Sequence, residues 1–222
     1  MNMLAIPCNT QNYGGLRGQK VEYIVIHYTA GRGDTARNNG EYFRNNSVGA
    51  SAHWFVDEQE AVLSVEENFV AWHCGGAAYK HPACRNGNSI GVELCSEMDE
   101  KGQYYFNEAT VANAKELVRY LMEKYNVPVE NVIRHYDVTG KICPAPFVGA
   151  GRNAWEEFKG GLIMYQKLEN VPDWARACVG KLVNRGLLTG DGQGNLNLSG
   201  DLTRTLVLLD RLGLFDKKEE TV

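Results

Sequence analysis

The chain has 222 residues, 44% hydrophobic and 23% charged, enough for one well-packed α/β domain and a small appendage. A formal net charge of -4 supplies no domain-wide basic surface to displace phosphate counterions, so no nucleic-acid partner is expected. No apolar run reaches bilayer-spanning length, no basic and apolar leader opens the chain, and six cysteines without CxxC spacing are not a disulfide framework. The expectation is a protein made in the cytoplasm without a signal peptide and with no membrane partner.

Residues 1–22 read as an irregular lead-in, with Gly14, Gly15 and Gly18 permitting turns. Tyr23-Ile24-Val25-Ile26 is an apolar, β-branched run of strand length, and His27 closes it at a strand end facing a loop. Thr35 to Asn46 reads as a helix with Asp34 as its N-cap. Ser51 to Asp57 and Ala61 to Val65 read as a hairpin that puts His53, Phe55 and Asp57 on one face. His53 is either a cleft histidine or one that hydrogen-bonds within the fold.

Phe69 to Trp72 is a short extended piece. It delivers Trp72 and His73 onto a long loop to Asn88 that reads as a groove wall, and pairing of Cys74 with Cys84 across that loop stays open. In Ser89 to Cys95, alternation puts Ile90, Val92 and Leu94 on one face and Gly91, Glu93 and Cys95 on the other. Glu93 stands alone amid apolar strand residues, so it is either salt-bridged core or a catalytic group. Asn107 to Asn126 is the clearest helix, with Val111, Ala114, Leu117, Val118, Leu121 and Met122 at helical spacing.

Val132-Ile133 reads as a strand that places His135 at its end, while Gly140 and Pro144 force an irregular return carrying Lys141 and Cys143. A histidine and a cysteine so placed suit tetrahedral zinc but leave the site incomplete, and His27 is the best third ligand. Two histidines and one cysteine with a position open to water are the arrangement of a catalytic zinc. The blander alternative makes the histidines polar strand termini and Cys143 a small buried hydrophobe. Arg152 to Leu168 reads as a helix closing the first domain, 1–168. Residues 169–222 then read as two helices around a connector at Gly186–Ser199, ending in a solvated stretch at Lys217–Glu220. The connector's Asp191–Asn195 lacks the late bidentate glutamate of a calcium loop.

Five segments together carry a resemblance: Ile24–Thr29, Ser51–Val56, Ala71–His73, Ser89–Glu93 and Arg134–Pro144. From about Tyr23 to Phe158 the chain resembles the type 2 N-acetylmuramoyl-L-alanine amidases, the zinc family that includes phage-lysozyme-type amidases and peptidoglycan recognition proteins. The resemblance implies an α/β fold, with a central mixed β-sheet flanked by helices and a zinc site in a surface groove. It implies His27, His135 and Cys143 as zinc ligands, Glu93 as catalytic acid/base and Lys141 as oxyanion stabiliser. It also puts Trp72 and His73, with His53 as a further candidate, on the groove for bacterial peptidoglycan. Some phage members carry a catalytic tyrosine where this chain has Ala52, which makes Glu93 the more necessary.

The activity implied is cleavage between muramic acid and L-alanine by an endolysin or autolysin that acts on the wall after release. The alternative is a recognition module without chemistry. Residues 169–222 resemble a single S-layer-homology motif, expected to serve wall attachment or a homodimer.

Overall fold

The structure, a computed structural model, describes residues 1–216. The stretch Lys217–Glu220 lies outside the described residues. Strands in chain order are β1 (Asn2–Ala5), β2 (Tyr13–Leu16), β3 (Tyr23–Tyr28), β4 (Trp54–Val56), β5 (Glu60–Leu63), β6 (Phe69–Ala71), β7 (Ser89–Leu94), β8 (Glu97–Met98), β9 (Tyr104–Tyr105), β10 (Val132–Arg134), β11 (Met164–Tyr165) and β12 (Leu198–Ser199). The longer helices are α1 (Ala36–Asn45), α2 (Glu108–Tyr125), α3 (His135–Thr139), α4 (Arg152–Leu162), α5 (Asp173–Asn184) and α6 (Gly200–Arg211). The chain divides into two units, Met1–Phe158 and one from Lys159 onward.

In the first unit six strands form a mixed sheet in the order β1-β5-β4-β7-β3-β10. β3 runs parallel to β7 and β10, and β4 runs parallel to β7, so these four strands end on the same side. The hairpin β4–β5 pairs Trp54 with Leu63 and Val56 with Ala61. Its turn is held by Asp57 Oδ1, which accepts from the amides of Gln59 and Glu60 at 2.8 Å each. β1 lies in the stretch read as irregular. It is mostly exposed, and it is a strand because the edge of β5 supplies parallel partners from Glu60 to Leu63.

The core sits where α2 covers this sheet. Asn107 caps α2, and Asn126 ends it in the left-handed region at φ 53°. Between them Ala114, Leu117, Val118 and Leu121 are fully buried. Each such leucine contributes roughly 1.5–3 kcal/mol relative to exposure. In α1 the cap is Thr35, whose Oγ1 accepts from the Asn38 amide at 3.1 Å. The expected cap, Asp34, accepts instead from the Thr29 hydroxyl and the Asn39 side-chain amide, because the β3 exit brings Thr29 against it.

In the second unit β11 and β12 pair antiparallel, and α5 and α6 share a core of Val171, Ala175, Cys178, Val179, Leu182, Leu198 and Val207. The helix expected to reach Leu168 stops at Leu162, since Ile163 O accepts from the Gly200 amide and Met164–Tyr165 enters this ladder. Residue 168 therefore lies inside the second unit. The Asp191 carboxylate is filled by the amides of Gln193 and Asn195 and by the Asn195 side chain. No helix among the described residues is long and apolar enough to cross a membrane.

Candidate active site

The site begins with register. His27 pairs with Glu93 across β3–β7, Phe55 pairs with Glu93 across β4–β7, and Arg134 pairs with Ile26 across β10–β3. His135, one residue past the end of β10, therefore arrives beside His27, with ring centroids 4.8 Å apart. These are carboxyl ends of parallel strands, where open α/β sheets place their crevices.

His135 opens helix α3 instead of the expected irregular loop. The turn forms because Asp137 accepts from the Arg134 amide and guanidinium, and Arg134 also donates to Phe147 O at 2.7 Å. Gly140 closes it at φ 87°, a backbone region glycine adopts without steric cost. The chain then folds back. The Tyr136 amide donates to Cys143 O at 2.8 Å, and the Cys143 amide donates to Lys141 O at 2.7 Å. Cys143 Sγ is left 3.6 Å from His27 Nδ1.

The donor atoms of His27, His135 and Cys143 all lie within 4.8 Å of one another, and the three residues are buried. Burial, then the electrostatic cost of charging it beside His73, His135 and Lys141, holds His27 well below the usual histidine range. Burial and then Lys141 bring His135 down to about 4. Both rings thus present neutral lone pairs. The Cys143 thiol is pushed up to about 12, by burial and then by Glu93, so its ionisation in this place needs a strong local positive charge.

Glu93 Oε2 is sealed from solvent, and among the described residues neither it nor either ring nitrogen of His135 makes a hydrogen bond. Burial pushes the Glu93 carboxyl up to about 8, with Lys141 opposing and Asp34 adding to the rise. A folded value above the ordinary 4.5 means that the folded state binds this proton more tightly than the unfolded chain. That contribution is complete below about 4.5 and is lost as pH rises through about 8. Metal-free wild type should therefore lose melting temperature across this window relative to Glu93→Gln, whose amide does not titrate. Parallel melting profiles for the two proteins would count against a titrating buried carboxyl.

A cleft of about 310 Å³ joins His27, Glu93, His135, Lys141 and Cys143 to Trp72, His73 and side chains the sequence reading did not single out for it, among them Tyr28, Asn39, Phe43 and Ser51. Nothing in their spacing marks them, because α1 and the β3 exit are brought to the cleft by tertiary packing. Trp72, 39% exposed, stands on the wall, its amide donating to Ser51 Oγ at 2.9 Å. His73 is buried between His27 and Ser89. His53 has no solvent exposure, and its Nδ1 accepts from the Gly91 amide at 2.9 Å, which is the fold-internal alternative for that residue. Cys74 and Cys84 are both free thiols.

A larger cavity, about 690 Å³, lies elsewhere in this unit, lined by Tyr13, Trp54, Glu67, Phe69 and Lys124 among others. It is the larger void but has the poorer chemistry. Its buried carboxylate, Glu67, is already saturated by Trp54 Nε1, Lys124 Nζ and the Tyr125 hydroxyl.

Residues 17–146 match the family described as N-acetylmuramoyl-L-alanine amidase. Among curated relatives, the N-acetylmuramoyl-L-alanine amidase BlyA of Bacillus subtilis (strain 168) is 39% identical over 156 residues, covering 64% of this chain and 41% of that protein. CwlL of Bacillus licheniformis, of the same description, is 40% identical over 154 residues, covering 64% and 41% respectively. The chain thus spans about two-fifths of the length of these relatives. Among solved structures, the catalytic domain of XlyA superposes with a TM-score of 0.61 at 28% identity, covering 73% of this chain and 100% of that one.

Proposed function

The chain belongs to the N-acetylmuramoyl-L-alanine amidase family, and on that premise we propose that it is a zinc-dependent hydrolase of bacterial peptidoglycan. It cuts the amide between the lactyl group of muramic acid and the L-alanine of the stem peptide, as an endolysin or autolysin. The observation that carries this reading is the convergence of His27, His135 and Cys143 beside Glu93, whose Oε2 has no hydrogen-bond partner among the described residues, at the carboxyl ends of β3 and β7.

The residues fit the metal. The buried His135 imidazole, neither nitrogen of which makes a hydrogen bond among the described residues, is costly unless something outside the chain completes it. Two neutral histidines and one thiolate are zinc donors that leave a position open. Held by His27, His135 and Cys143, zinc would supply Lewis acidity toward a carbonyl and lower the pKa of water there.

Glu93 then takes the proton of the attacking water and returns it to the departing L-alanine amine. Lys141, in the same cleft, stabilises the developing oxyanion, and Trp72 offers a flat apolar wall to the sugar-peptide. An isolated base and a sulfur ligand favour chemistry over recognition alone, since binding a muropeptide needs neither. Residues 169–222 are read as an S-layer-homology-like unit for wall attachment or dimerisation. The exposed Trp174, Leu202 and Leu208 on α5 and α6 support this.

The test is digestion of purified peptidoglycan. Zinc-loaded protein should release new L-alanine amino ends, the zinc-stripped sample should release none, and added zinc should restore release. New ends from other stem residues would identify a stem peptidase instead. Binding to the wall without release would establish a recognition module.

A further inference from the structure

His73 uses both ring nitrogens inside the protein. Its Nδ1 lies 3.0 Å from His27 Nε2, and its Nε2 lies 3.1 Å from Ser89 Oγ. Ser89 Oγ in turn donates to Arg85 O at 2.7 Å. A serine hydroxyl has one proton to give, so toward His73 it must accept.

The direction then propagates. His73 carries its proton on Nε2 and donates it to Ser89, which leaves a lone pair on Nδ1. That lone pair accepts from His27 Nε2, which therefore holds the His27 proton. The remaining His27 nitrogen, Nδ1, is a bare lone pair, and it is the one 3.6 Å from Cys143 Sγ.

The sheet provides the space for this chain. A Cβ at Gly91 would fall 2.5 Å from His73 Cγ, so only the bare strand position lets the ring lie against β7 between Ser89 and His27. Gly91 shares its face with Glu93, and glycine in a strand interior often marks such a close approach.

We infer that His73, oriented by Ser89, is a positioning residue that fixes the His27 tautomer and presents Nδ1 to the metal. This rests on the zinc reading above. It gives His73 a role other than the substrate contact implied by resemblance, because neither ring nitrogen is left for a muropeptide. Partners of this kind on ligating histidines are typically worth 10–100-fold in metal affinity.

Zinc affinity is read by competition with a chromophoric chelator, alongside nitrogen chemical shifts that report the His27 tautomer in metal-free protein. Ser89→Ala, which removes one atom, and His73→Leu should each weaken zinc binding about 10–100-fold. His73→Gln should recover part of the loss, because its amide oxygen can accept from His27 Nε2. The wild-type spectrum should place the His27 proton on Nε2. Wild-type zinc affinity in both Ser89→Ala and His73→Leu, with only KM for peptidoglycan altered, overturns the inference, as does a proton on His27 Nδ1. A wild type that binds no zinc overturns the zinc reading instead, and the tautomer measurement still decides the hydrogen-bond chain.

Discussion

Glu93→Gln is expected to lower release of L-alanine amino ends by about 10²–10⁴-fold while zinc stays bound, the range for loss of a positioned general base. The amide keeps the shape of the side chain and its place opposite His27 and Phe55 in the sheet. What it loses is the ability to take a proton. Glu93 is also suited to the work by where it stands. Burial raises it to about 8 in the metal-free protein, whereas a bound cation and the nearby Lys141 favour its ionised form. The carboxyl is thus poised near neutrality and not in the ordinary carboxylate range, as proton transfer in both directions requires. Zinc content and turnover measured on one preparation decide the matter. A variant that keeps zinc and most of its activity would remove Glu93 from the mechanism.

Cys143→Ala is expected to abolish detectable hydrolysis and the thermal stabilisation by zinc. Cys143 is the one anionic donor in the set, so the variant leaves two neutral imidazoles facing the metal. Zinc at 1,000 times its Kd adds about 4 kcal/mol to the wild type, and that increment should vanish. The metal-free forms should melt at similar temperatures, since Cys143 is a small side chain in a turn held by its own backbone bonds. Because the thiol sits near 12 without metal, zinc binding near neutral pH must expel its proton. Wild-type zinc affinity should therefore rise by about one log unit per pH unit for the thiol alone, with any proton released by Glu93 adding to it, and whatever zinc affinity the alanine variant keeps should lack the thiol's share of that slope. An unchanged melting increment in Cys143→Ala would mean that the metal is held elsewhere.

How these groups meet is only partly written in local sequence. The apolar run before His27 and the three- and four-residue spacing of α2 are short-range patterns, and each became the element its period indicates. The isolation of Glu93 among Ile90, Val92 and Leu94 was legible as well, since strand alternation needs no partner to be read. Where the reading differed, a distant partner intervened. β1 exists because β5 offers an edge, Thr35 caps α1 because Asp34 is engaged by Thr29, and α4 stops at Leu162 because β11 pairs with β12.

Residue types and local periodicity thus determined by themselves which side chains are capable of metal and proton chemistry and that β3 and β7 are strands and α2 a helix. Only the tertiary structure decided that His27 stands level with Glu93, that Cys143 folds back to His27, and that His73 lies over Gly91 with Ser89 behind it. The reason is that parallel register joins residues far apart in the chain. Slipping one strand by one residue would turn its side chains to the other face, and no local pattern in either strand records that choice.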